Sequence, residues 1–174
     1  MTGPVVGVVG GGQLARMLAE AASPLGVHLR VLAGPSDEGA PEVVPDTVIG
    51  APDDPDALSA FAATVDVVTF DHENVDHGAL RRLEESGVAV RPSVGTLAFA
   101  DKAHQRRAFR AGGLPVPDFT VLDGGPADVA AAAAFADRHG GSVVVKASRG
   151  GYDGRGVWML GGDELERFVS AWAG

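Results

Sequence analysis

The sequence predicts an α/β architecture, a Rossmann-like parallel sheet followed by a smaller α+β region, and three observations predict it. Short apolar runs alternate with helical patterns through the first hundred residues, the signature of βαβ units on a parallel sheet. A glycine cluster, Gly10 to Gly12, joins the first apolar run to the first helical pattern. A second, "RGGYDGRG" (Arg149 to Gly156), lies between two apolar runs with no helix after it, so it reads as a loop between antiparallel strands.

Taken in order, "PVVGVV" (Pro4 to Val9) is a strand suited to burial on both faces. After Gly12, the residues Leu14, Met17, Leu18, Ala21, Ala22 and Leu25 form a one-sided stripe of helical period, and Gly26 ends that helix. "VHLRVL" (Val27 to Leu32) is the second strand. Asp54 as N-cap and Pro55 at the first helical position open the next helix. "VDVVTF" (Val65 to Phe70) is a strand, Asp76 caps a helix that Gly87 closes, and "VAV" (Val88 to Val90) is a further short strand. Near Arg91 the sequence becomes helical and more basic, which puts a boundary near residue 100, between domains 1–100 and 101–174. In the second domain come strand "FTVL" (Phe119 to Leu122), an alanine-rich helix, strand "VVVKA" (Val143 to Ala147), the glycine loop, strand "VWML" (Val157 to Leu160) and a last helix, "DELERFVSAWAG".

Composition narrows the function. With 14 basic and 23 acidic residues the net charge is −9, which argues against a nucleic-acid or membrane-surface partner, because both need a cationic footprint. A local basic pocket for a phosphorylated small molecule remains compatible. There are no cysteines, so disulfides, zinc–thiolate sites and thiol catalysis are excluded. The N-terminus lacks a basic, then apolar, leader pattern, and no run approaches about 18 apolar residues. A soluble, cytoplasmic protein is expected.

Three stretches carry candidate chemistry. The first glycine loop stands at a helix N-terminus, where backbone N–H groups favour anions. It reads as an anion site for a phosphorylated ligand, as a nicotinamide dinucleotide site, or as a turn that binds nothing. A dinucleotide site expects an acidic residue at the end of the second strand, but that strand ends in "VLAG" and the nearest acids are Asp37 and Glu38. "TFDHENVD" puts Asp71, His72, Glu73 and Asn74 past the carboxyl end of a parallel strand, the edge where open α/β sheets bind ligands. This cluster could hold hydroxyls or an amine, or be ordinary loop solvation. Finally, Lys146 ends a strand, and the glycine loop after it offers backbone donors with Arg149 and Arg155 as further cations. That arrangement suits a flap over nucleotide phosphates.

Lys102 in "ADKAHQR", Lys146 in "VVVKASRGGYDGRG" and the strand pair around that loop resemble the ATP-grasp superfamily. Within it, "GGGQLARML", "TFDHENV" and "GGYDGRG", in that order, resemble the carboxyaminoimidazole ribonucleotide synthases over nearly the whole chain. The resemblance implies a pre-ATP-grasp domain over 1–100 and the first part of an ATP-grasp domain, its central lid subdomain, over 101–174. The activity implied is ATP-dependent carboxylation of aminoimidazole ribonucleotide with bicarbonate, through carboxyphosphate, in purine biosynthesis, by a homodimer. Carried over residue by residue, Lys102 and Lys146 would hold ATP phosphates, and Gly151, Tyr152, Asp153, Gly154, Arg155 and Gly156 would form the flap over the nucleotide. Asp153 and Arg155 would also face the ribonucleotide as catalytic residues. Gly12, Gln13 and Leu14 would border the ribonucleotide, with Glu73 and Asn74 at its edge.

Two departures from the family pattern stand out. Asp71-His72 replaces an acidic-aromatic pair, and the chain is shorter than family members. The adenine-gripping strand and the carboxylates for Mg²⁺ are therefore expected outside it, Glu164 and Glu166 coming too early for either role. No metal ligand is assigned in this chain, which by itself is expected to be inactive. The alternatives are a non-catalytic nucleotide-binding module and, further off, a nicotinamide-dependent dehydrogenase.

Overall fold

The computed structural model describes residues 3–37, 39–151 and 154–172. They form two compact units, 1–97 and 98–174.

In the first unit the elements run β1 (Val5–Val9), α1 (Gln13–Ala22), β2 (His28–Ala33), α2 (Ala40–Val43), β3 (Thr47–Ile49), α3 (Pro55–Ala62), β4 (Val67–Phe70), α4 (His77–Glu85) and α5 (Val94–Leu97). The sheet order is β3-β2-β1-β4, with every neighbouring pair parallel. Val8, Val9, Val31, Leu32 and Val68 are wholly buried on β1, β2 and β4. One face packs Val9, Leu32 and Val68 with Leu58 and Phe61 of α3 and with Leu80 and Leu83 of α4. Burying each such side chain contributes about 1.5–3 kcal/mol. Asp54 and Asp76 cap α3 and α4 through the N–H groups of Asp56 and Ala79, so both capping expectations hold.

Three details depart from the sequence reading. Helix α1 lays its small face on the sheet: Ala15 and Ala22 are buried, whereas Leu14 (57%) and Leu25 (76%) are exposed, as are Met17 and Leu18. Ala15, with Ala19 beside it, lets the helix approach Val8 and Val31 closely, which turns the larger stripe outward. Strand β3 and helix α2 are additions; three residues on a sheet edge give little periodicity to read. "VAV" contributes one bridge, Val68 with Val90, rather than a full strand.

In the second unit, α6 (Lys102–Ala111) and α7 (Asp128–Arg138) precede the antiparallel pair β5 (Ser142–Lys146) and β6 (Val157–Gly161), followed by α8 (Gly162–Trp172). Alternation along β5 and β6 sends Val143, Val145 and Leu160 toward α7 and α8, where Ala132, Ala136, Leu165 and Val169 complete a small core. "FTVL" is not a strand. Its ends serve the packing instead: the Arg110 guanidinium lies 4.2 Å from the Phe119 ring centroid, and Leu122 joins the core of α7 and α8.

Candidate functional site

The chain runs from β1 outward to β2 and β3, then returns to place β4 on the other side of β1. The loops after β1 and β4 therefore leave the carboxyl edge side by side, at the switch point where such sheets open a crevice. Val9 pairs with Phe70 in register, so Gly10–Leu14 and Asp71–Asn74 begin next to each other.

Asp71 ties the two loops together. Its carboxylate accepts the N–H of Gly12 at 2.8 Å and of Ala15 at 2.7 Å, at the head of α1. The Asp37 carboxylate accepts the N–H of Gly11 at 2.9 Å and of Gly34 at 2.7 Å. Two of the chain's own carboxylates thus take the N–H groups of Gly11, Gly12 and Ala15, three of the donors that a glycine loop and helix start would turn to a phosphate, and the positive end of α1 favours them there. Only glycine permits this approach at position 12, since a Cβ there would stand 2.5 Å from Asp71 Oδ2. Around this lock Gln13, Leu14, Glu73 and Asn74 are exposed. His72 Nδ1 accepts the Asn74 N–H at 3.2 Å, which shapes the second loop.

The second cluster lies wholly within residues 98–174. Lys146 is exposed at the end of β5, on the sheet face opposite α7 and α8. Its neighbours on that face are Val144, Val157 and Met159, the last 77% exposed. The loop base is closed by the Ala147 N–H donating to Gly156 O at 2.8 Å. Gly156 has φ +71°, and a Cβ there would lie 3.0 Å from that of Ala147. Lys102 begins α6, with its Nζ 3.5 Å from the position a Cβ on Gly151 would take. Its ammonium therefore rests against the loop, which brings together two sites 49 positions apart in sequence. Gly154 and Arg155 are exposed in the turn; Tyr152 and Asp153 lie outside the described residues.

Asp101, the N-cap of α6, accepts the N–H groups of Ala103 and His104 on Oδ1, together with the Ser148 hydroxyl at 2.6 Å. Its Oδ2 accepts Arg149 Nε at 2.8 Å. Burial pushes the Asp101 carboxyl up, but the bonds from Ser148, the His104 N–H and Arg149, with the guanidinium charge, outweigh it and hold the group well below the usual carboxylate range.

The sequence reading gave no site role to Asp37, Asp101 or Ser148, and placed Asp71 in a cluster that could hold hydroxyls or an amine, whereas its carboxylate accepts the N–H groups of Gly12 and Ala15. Asp101 carried a readable signal, a capping residue directly before a helical pattern. The other three act through pairings 26 to 59 residues away, which no local pattern reports. Among the described residues no three carboxylate, imidazole or thiol groups converge as metal ligands. Among the same residues no helix is long and apolar enough to cross a membrane.

A four-stranded parallel sheet ordered in this way, with its polar loops at the switch point, is the α/β pre-ATP-grasp fold. Residues 4–101 match the ribonucleotide synthetase preATP-grasp domain, and the chain belongs to that family. It is 49% identical over 162 residues to the N5-carboxyaminoimidazole ribonucleotide synthase of Mycobacterium leprae, covering 90% of this chain and 37% of that protein. It superposes with a TM-score of 0.84 on the carboxyaminoimidazole ribonucleotide synthase of Aspergillus clavatus complexed with ATP, at 30% identity over 98% of this chain and 45% of the other. The Aspergillus clavatus synthase solved with ADP and 5-aminoimidazole ribonucleotide gives 0.81 at 27% identity, covering 98% of this chain and 44% of the other. The chain thus spans less than half the length of each.

Proposed function

We propose that this chain is the N-terminal part of an ATP-dependent ligase that carboxylates aminoimidazole ribonucleotide in purine biosynthesis. The observation that carries this reading is the Lys102 ammonium against Gly151, in a glycine flap whose strands also present Lys146 beside an open apolar face. Cations at a flap suit transferring phosphoryl groups, and the apolar face suits a purine. A bicarbonate oxygen attacks the γ-phosphorus of ATP and ADP leaves. The ribonucleotide amine then attacks the carbon of carboxyphosphate, expelling phosphate and losing a proton.

Residues 1–100 supply the ribonucleotide side through Gly12, Gln13, Leu14, Glu73 and Asn74. Residues 101–174 supply the nucleotide flap, with Lys102, Lys146, Gly151, Tyr152, Asp153, Gly154, Arg155 and Gly156, of which Asp153 and Arg155 also act on the ribonucleotide. Mg²⁺ would supply neutralisation of phosphate charge, and no described residue is assigned to it. A cytoplasmic homodimer belongs to the same reading. Asp37 and Asp71 speak against a nicotinamide dinucleotide, whose pyrophosphate would meet two carboxylates at the loop.

The test is ADP formation by the complete ligase with ATP, bicarbonate and ribonucleotide. Turnover that requires all three supports the reading. Consumption of ATP indifferent to the ribonucleotide overturns it, and nucleotide binding without turnover favours a non-catalytic module.

A further inference from the structure

The glycine flap is fastened at its base, and one side chain does most of the fastening. Asp101 gathers four hydrogen bonds: the N–H of Ala103 at 2.9 Å, the N–H of His104 at 3.0 Å, the Ser148 hydroxyl at 2.6 Å and Arg149 Nε at 2.8 Å. The main chain adds a bond parallel to these, from the Lys102 N–H to Ser148 O at 3.0 Å. The Ser148 hydroxyl oxygen also accepts the Ala103 N–H at 3.3 Å. We propose that Asp101 is a positioning residue that latches the base of the flap to the head of α6, and so fixes Lys102 against the loop; this rests on the reading of that loop as the cover of the nucleotide phosphates.

The argument follows from where the bonds fall. Two of the four hold the first turn of α6, which begins at Lys102, and two hold Ser148 and Arg149, which lead into the loop. A single carboxylate therefore sets both the cation and the near end of the flap. At the far end the Ala147 N–H bond to Gly156 O closes the loop. Both arms that carry the glycine-rich loop are therefore held. Anchored arms reduce the conformational entropy lost each time the loop closes on a ligand. The Arg149 side chain is 71% exposed and still aimed at Asp101, so in this state its charge is committed to the latch.

Two variants separate the latch from the helix cap. Asp101→Asn retains an oxygen for the cap but presents an amide donor to Arg149. Ser148→Ala removes the other arm and leaves Asp101 intact. Asp54→Asn, at the N-cap of α3, is the control for a generic cap change. Amide hydrogen exchange on the 174-residue chain should show residues 148–151 and 154–156 exchanging about tenfold faster in either variant, with the β1–β4 sheet unchanged. In the complete ligase, KM for ATP should rise about tenfold, while KM for the ribonucleotide stays within about twofold. Loop exchange equal to wild type overturns the latch. Faster loop exchange with an unchanged KM for ATP overturns its positioning role. The exchange measurement needs no catalysis, so a wild-type ligase without ATP turnover would count against the proposed reaction and leave the latch to be decided by exchange alone.

Discussion

The Asp71 carboxylate accepts the Gly12 N–H at 2.8 Å across 59 positions of sequence, joining the end of β4 to the head of α1. Its other oxygen takes the Ala15 N–H, so one residue both caps the helix and fixes the distance between the two loops proposed to face the ribonucleotide. Asp71→Ala leaves those donors without a partner and should cost about 1–3 kcal/mol of stability. Asp71→Asn can keep one acceptor and should cost about half as much. Thermal unfolding measures the first effect. Calorimetric titration of the complete ligase with ribonucleotide should show weaker binding for the alanine variant, and wild-type affinity there would remove Asp71 from the substrate site.

Lys146 tests the nucleotide side. It is exposed at the end of β5, directly before the flap, and loses little packing when its charge is removed. Lys146→Met should lower ATP turnover about a hundredfold, equivalent to about 2–3 kcal/mol for a charge-assisted contact to a phosphoryl group. Steady-state kinetics with each substrate varied in turn checks this. A variant with near-normal turnover, impaired only in its KM for the ribonucleotide, contradicts the role.

Three of the four strands of the parallel sheet were legible because they are short, mainly apolar runs, and the helices α3 and α4 announce themselves with Asp54, Pro55 and Asp76. The positions of the two switch-point loops were legible for the same reason: Gly12 and Glu73 follow strands whose ends could be read. What escaped were features decided by tertiary pairing. The outward turn of Leu14 and Met17 depends on Ala15 and Ala19 being small enough to meet Val8 and Val31, a comparison between two apolar faces that periodicity does not rank. Asp37 lies three residues beyond Gly34 and folds back on Gly11. A spacing rule for acidic residues at strand ends looks for a ribose ligand there and misses a loop cap.

The Asp101 carboxyl gives a pH dependence of definite sign. Its folded value is held well below the ordinary one, so its contribution to stability is complete above about pH 4, the unfolded carboxylate range. That contribution is lost as pH falls further toward the folded value, because the proton then binds the unfolded chain more readily than the latched carboxylate. Wild type should therefore melt at a higher temperature than Asp101→Asn at neutral pH, with the difference shrinking steadily below about pH 4. A difference independent of pH across that window argues that the carboxylate's charge is not what the latch uses.

The flap should be the first internal segment that a protease reaches. Residues 150–156 contain four glycines, whose high conformational freedom lowers the cost of local opening. Their backbone runs between two strands rather than inside one, and Arg149 and Arg155 supply exposed trypsin sites at either end. The other arginines and lysines of this unit sit largely on α6 and α7 or in β5, where helix or ladder hydrogen bonds must break before a protease can bind the chain. Limited trypsin digestion of the 174-residue chain, followed by mass spectrometry, should show the first cuts after Arg149 or Arg155, yielding an intact fragment that contains the whole β1–β4 sheet. Asp101→Asn should hasten the cut after Arg149 specifically, since that side chain loses its bond to Oδ2. First cleavage within residues 1–97 would mean that the parallel sheet, not the flap, is the weakest part of the fold.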